Sequence, residues 1–187
     1  SAGTFDVGGI AFAGPLPIRL TWREAELSPP FDDFNPLFDP GSPARWVNQD
    51  TLNPQPVEFV YAYRPITESL GVSARWLIWL PPGNAYQIWA SHPDQNNAAI
   101  VPYELLNRLE SGVEGPPVIP LDRTTVIQCQ NDVDREKLVA EVALDKATAS
   151  GGLWLKVDES KARHNPDCEP HPFRLPLSWV EVRRAPP

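Results

Sequence analysis

The sequence predicts an all-β domain, a single antiparallel β-sandwich of the jelly-roll kind with long Pro-rich loops and one short helix. Three observations carry that prediction: apolar and polar residues alternate over short segments, turn-forming residues separate those segments, and proline is spread along the chain. Side chains at i and i+2 share one face of a strand, so alternation means one buried and one wetted face. Proline makes up 23 of 187 residues, more than double the usual ~5 %. Interleaved with apolar residues, it stiffens the connections between elements instead of marking a disordered tail.

Near the start, Leu16, Ile18, Leu20 and Trp22 alternate with Pro17, Arg19 and Thr21. Pro17 has no N–H to give a ladder, so this strand starts late or lies at an edge. Val57, Phe59, Tyr61 and Tyr63 repeat the pattern against Glu58 and Arg64, and Pro65 closes it. Trp76-Leu77-Ile78-Trp79-Leu80 is continuously apolar, as expected of a strand covered on both faces near the centre of a sheet. Pro81-Pro82-Gly83-Asn84 then turns the chain into a second β-rich stretch containing Tyr86 and Trp89.

Residues 124–130, 153–157 and 173–182 read as further strands. In the last of these the apolar phase switches between Trp179 and Val180, which is what a β-bulge produces. Residues 102–110 read as the one short helix, with Pro102 in its first turn, Leu105 and Leu109 four apart and Gly112 as a stop. Residues 132–147 open with helix formers, yet Leu138, Ala140, Val142 and Leu144 alternate with Val139, Glu141, Ala143 and Asp145. Neighbouring strands decide that segment in favour of strand. Residues 27–55 and 92–121 read as long connections, a kind usually functional or ordered by a partner. No repeat, Gly/Ser linker or composition break divides residues 1–187, so the chain is read as one domain.

Charge narrows the function. The 24 acidic residues against 16 basic ones give a formal charge of −8, which repels phosphate backbones and argues against nucleic acid as a partner. No apolar run approaches the ~18–20 residues of a membrane-spanning helix. A chain with no Met, and with neither a basic start nor an apolar block in its first 18 residues, reads as a processed product.

Two clusters could bind metal. His164, Cys168 and His171 lie in one Pro-rich loop, and Cys129 could complete a tetrahedral zinc site, although the spacing matches no standard zinc signature. The same sulfurs, Cys129 and Cys168, could instead form a disulfide or stay as thiols. Asp32, Asp33, Asn35 and Asp39, set among Phe31, Phe34 and Phe38, offer oxygen ligands of the kind calcium takes. A solvated loop pinned by its phenylalanines is the simpler reading, and no cofactor is expected. Catalytic signatures such as Gly-x-Ser-x-Gly or a Gly-rich phosphate loop are absent, and the three histidines are His92, His164 and His171.

Aromatic residues are the remaining signal. Trp22, Trp76, Trp79 and Trp179 fit a core role. Trp46, Tyr86, Trp89, Tyr103 and Trp154 sit nearer loops or on the polar phase of their strands, so they are the candidates for contact with a protein, receptor or glycan.

Arg75-Trp76-Leu77-Ile78-Trp79-Leu80-Pro81-Pro82-Gly83, running into a turn, the long Pro-rich loops and Leu177-Ser178-Trp179-Val180-Glu181-Val182-Arg183 before Pro186-Pro187 give the Met-free chain a rhythm. That rhythm resembles jelly-roll virus coat or spike proteins. The resemblance implies a structural or attachment domain at a virion surface or outside the cell, prone to form a homo-oligomer or larger assembly. The missing basic arm fits a projecting domain better than one facing a genome. A secreted, lectin-like β-sandwich binding module is the alternative, followed by a metal-dependent hydrolase centred on His164, Cys168 and His171.

Overall fold

The computed structural model describes residues 16–28, 45–48, 60–63, 72–91, 98–119, 125–129, 136–144, 152–167 and 175–186. The described residues are mostly antiparallel strand, arranged as a β-sandwich, in agreement with the alternation in the sequence. In the first half of the chain the strands are β1 (Ile18–Thr21), β2 (Glu26–Ser28), β3 (Arg45–Asn48), β4 (Val60–Tyr63), β5 (Ser73–Ile78), β6 (Ala85–Ser91) and β7 (Ala98–Arg108). The second half supplies β8 (Glu114–Pro117), β9 (Thr125–Cys129), β10 (Glu136–Ala143), β11 (Leu153–Asp158), β12 (Arg163–His164), β13 (Leu175–Leu177) and β14 (Trp179–Arg184).

One sheet runs β1-β14-β6-β10; a larger one runs β12-β7-β11-β5-β2, with β8 and β9 also on β7. A small sheet, β13-β4-β3, gives Trp46 and Leu177 to the common core. The facing sides of the two main sheets share one core. From the four-stranded sheet come Leu20, Tyr86, Ile88, Ala90, Val180 and Val182, and from the larger sheet Ala74, Trp76, Ile78, Tyr103, Leu105, Leu153, Leu155 and Val157. Strand β5 is covered on both faces, as its unbroken apolar run predicts. Trp76 and Ile78 enter the core, while Leu77 packs outside with Leu106 and Trp154.

Three sequence expectations are corrected, the first being the long connections over residues 27–55 and 92–121: β3 forms within the one, and β7 and β8 within the other, where pairing partners take up their backbone groups. The short helix over residues 102–110 does not form: that stretch lies in the long strand β7 and the turn after it. Pro102 is opposite Thr125 of β9 while Tyr103, Glu104 and Leu105 pair with β11, so tertiary pairing on both edges overrides the helix-like cues. Helical backbone among the described residues is confined to two three-residue 3₁₀ turns, Trp22–Glu24 and Glu159–Lys161.

The phase switch near Trp179 is a change of sheet rather than a bulge. Leu177 ends β13 in the small sheet, Ser178 belongs to neither strand and Trp179 begins β14 in the four-stranded sheet. The bulge occurs in β10 instead, where the register against β6 shifts between Leu138 and Ala140. Val139 and Ala140 are consequently both buried and Leu138 is turned outward at 45 % exposure. Of the strand expected over residues 132–147, Glu136–Ala143 is strand with one slip, and residues 132–135 and 145–147 lie outside the described residues.

Candidate functional site

Of the aromatic residues proposed for contact, four are buried. Trp46 is fully buried and donates its Nε1–H to the Ser73 carbonyl at 2.9 Å. Tyr86 points into the core and donates its hydroxyl to the Pro81 carbonyl. Tyr103 is buried too, and that burial pushes its phenol well above the ordinary tyrosine range. Trp154 lies on the outer side of the larger sheet, covered by Arg75 at 3.9 Å from its ring centroid, with Nε1 donating to the Gly112 carbonyl at 3.1 Å. Each aromatic has its polar end satisfied or sealed, so these four rings serve packing and the expected exposure is not found.

Trp89 is the exception, and it leads to the site. Val180 and Val182 of β14 and Ile88 and Ala90 of β6 face the core, so Trp179, Glu181, Arg183, Gln87 and Trp89 must face outward. Registers align them: Glu181 stands opposite Trp89 on one side and Arg19 on the other, Arg183 opposite Gln87, and Leu138 opposite Trp89. The outer face of the four-stranded sheet thus carries two tryptophans, two arginines and a central carboxylate on adjacent strands.

The arginines are stacked on the tryptophans. The Arg19 guanidinium carbon lies 3.7 Å from the Trp179 ring centroid, and that of Arg183 lies 4.5 Å from the Trp89 centroid. Such pairs contribute about 0.5–1 kcal/mol at exposed sites and more where water is excluded. Glu181 ties the two stacks together, accepting from Arg19 Nε at 2.9 Å and from Arg183 Nε at 2.6 Å. Arg183 Nη2 reaches Glu136 at 3.1 Å, Gln87 Nε2 reaches Glu141 at 3.1 Å, and Trp89 Nε1 donates to Gln87 Oε1 at 3.2 Å.

Glu181 is buried despite its charge. Burial pushes its carboxyl up, but hydrogen bonds from Arg183 and Arg19 together outweigh it, so the group titrates below its ordinary range. Each member of this array fixes its neighbour's rotamer, and Leu138 adds an exposed apolar side chain beside it. The side chains of this face are thus held in place by one another.

Sequence reasoning places Trp179 in the core, because aromatic residues along one strand face usually pack there. It singles out neither Arg19, Glu181, Arg183, Gln87 nor Leu138. The signal was present: Gln87-x-Trp89 and Trp179-x-Glu181-x-Arg183 each put charged or amide groups and a tryptophan on one strand face. What the sequence lacked was the pairing of β14 with β1 and β6.

The proposed metal ligands are only partly in view. Cys129 is opposite Ala98 in β9, and His164 is opposite Ala99 in β12, on the two flanks of β7. Cys168, His171 and the Asp32–Asp39 loop lie outside the described residues. Among those that are described, no group of three or more His, Cys, Asp or Glu side chains is gathered for a metal ion. No helix of the described residues is long and apolar enough to cross a membrane.

No family model matches the chain, and no curated protein matches it in sequence. Among solved structures it is similar to a family 35 carbohydrate binding module from Clostridium thermocellum, at 11 % identity and a TM-score of 0.46, over 91 % of this chain and 100 % of that one. It is likewise similar to the K1 cleaved adhesin domain of Lys-gingipain from Porphyromonas gingivalis W83, at 10 % identity and a TM-score of 0.44, over 92 % of this chain and 100 % of that one.

Proposed function

We propose that this chain is a non-catalytic attachment module, working outside the cell or on a particle surface, that holds a protein partner on the outer face of its four-stranded sheet. The observation that carries the proposal is the locked array of Arg19, Trp179, Glu181, Arg183 and Trp89 beside exposed Leu138. Tryptophan and arginine are the residues most enriched among those that dominate protein interfaces. Side chains held in place before binding lose little rotamer entropy on association, so more of the contact energy appears as affinity. A sugar ring would have to stack on tryptophans that already carry a guanidinium at 3.7 and 4.5 Å, which favours a protein over a glycan.

Selection from a displayed random peptide library, run beside a glycan array, tests this reading. Peptides recovered on the wild-type chain should lose roughly tenfold or more in affinity for Leu138→Asp, the cost of placing a carboxylate in an apolar contact. Saturable binding of a glycan, or recovered peptides indifferent to Leu138→Asp, would overturn it.

A further inference from the structure

The array is not evenly neutralised, and the imbalance identifies what its partner presents. The Glu181 carboxylate is divided between two guanidiniums. Arg183 has a second carboxylate, Glu136, on its Nη2. Among the described residues, Arg19 has only its share of Glu181, through Nε, and no bond from its two Nη groups. Its side chain is 47 % exposed, on the edge strand β1, yet its plane is set by Trp179 beneath it and its Nε edge by Glu181. The end-on pair of Nη donors therefore belongs to a half-exposed, oriented side chain and meets no carboxylate among the described residues.

We propose that Arg19 is the anchor for a carboxylate of the protein partner, an Asp or Glu side chain accepting both Nη–H groups in a bidentate pair. This rests on the reading of the face as a protein-binding surface and adds the chemistry of its occupant. A planar guanidinium matches a carboxylate in two parallel hydrogen bonds, and a guanidinium already fixed by stacking loses less freedom in making them than a mobile one does. The chain's overall charge of −8 is largely screened beyond about 8–10 Å at working ionic strength, and the carboxylate beside Arg19, Glu181, is already shared with Arg183.

The same peptide selection reads this out. Pools recovered on the wild-type chain should be enriched in Asp and Glu over the starting library. Individual acidic peptides should bind Arg19→Gln roughly tenfold to a hundredfold more weakly, the worth of a charge-assisted pair. Arg19→Lys, which keeps the charge and loses the planar fork, should fall between the two. Near-UV circular dichroism of both variants checks that the fold is retained. Peptides that depend on Leu138 but show no acidic enrichment, or bind Arg19→Gln as well as wild type, would overturn the assignment of Arg19 while leaving the attachment reading intact. Peptides indifferent to Leu138→Asp would remove both. An acidic glycan bound in place of peptides, with loss on Arg19→Gln, would replace the protein carboxylate by a sugar one and refute the assignment as made.

Discussion

Replacing Glu181 by Gln isolates the electrostatic part of the outer face without changing its shape. In the wild type one carboxylate accepts two charge-assisted hydrogen bonds, from Arg19 and Arg183, while itself 10 % exposed. Fully buried, such bonds are worth about 1.5–3 kcal/mol each. The arginine side chains are 47 % and 30 % exposed, so water recovers much of that loss, and the expected destabilisation is about 2 kcal/mol. For a domain of this size that lowers the melting temperature by roughly 4–8 °C. Urea unfolding as a function of pH gives a sharper reading. Because the arginines hold the folded carboxyl below its ordinary range, the wild-type advantage is complete above the unfolded carboxylate pKa of about 4.3. It is lost as the pH falls through the lower, folded value. Gln does not titrate, so the two stability curves should run parallel near neutrality and converge in acid. A loss under about 0.5 kcal/mol at pH 7, the level of an ordinary surface pair, would refute the reasoning. So would a gap that persists unchanged into strong acid.

Two further tests probe the frame that carries the face. Gly152 and Gly83 both have positive φ, but a Cβ on Gly152 would stand 2.7 Å from Trp79 Cε3, whereas one on Gly83 meets nothing within 4 Å. Gly83→Ala should cost about 1–2 kcal/mol for the left-handed backbone alone, and Gly152→Ala roughly 1–3 kcal/mol more from overpacking, both measured by urea unfolding; equal losses would show that Trp79 yields freely. Tyr103, its phenol raised by burial, contributes stability that is complete below the unfolded tyrosine pKa of about 10 and is lost as the pH rises toward the folded value. Absorbance titration of wild type against Tyr103→Phe should show no tyrosinate from this residue until the protein unfolds, and Tyr103→Phe should lose stability less steeply in alkali.

Alternation alone determined the β-sandwich and several of its strands, because a period of two is a local property that each segment carries by itself. It also marked Trp76, Trp22 and the doubly covered β5 as core, since apolar residues on a strand face have to be buried somewhere. Pairing across the sheets decided the rest. Residues 102–110 carry helix cues, yet 102–108 are strand because β9 and β11 claim the edges of β7, and Leu138 turned outward because β10 slips by one residue against β6. Trp179, read as core, reached the surface when the chain changed sheets at Ser178. The candidate face assembles Arg19, Gln87, Trp89, Leu138 and Glu181 from four strands as far apart in the chain as β1 and β14. Which charges share a carboxylate depends on neighbours in space, and that information exists only once the strands have found their order.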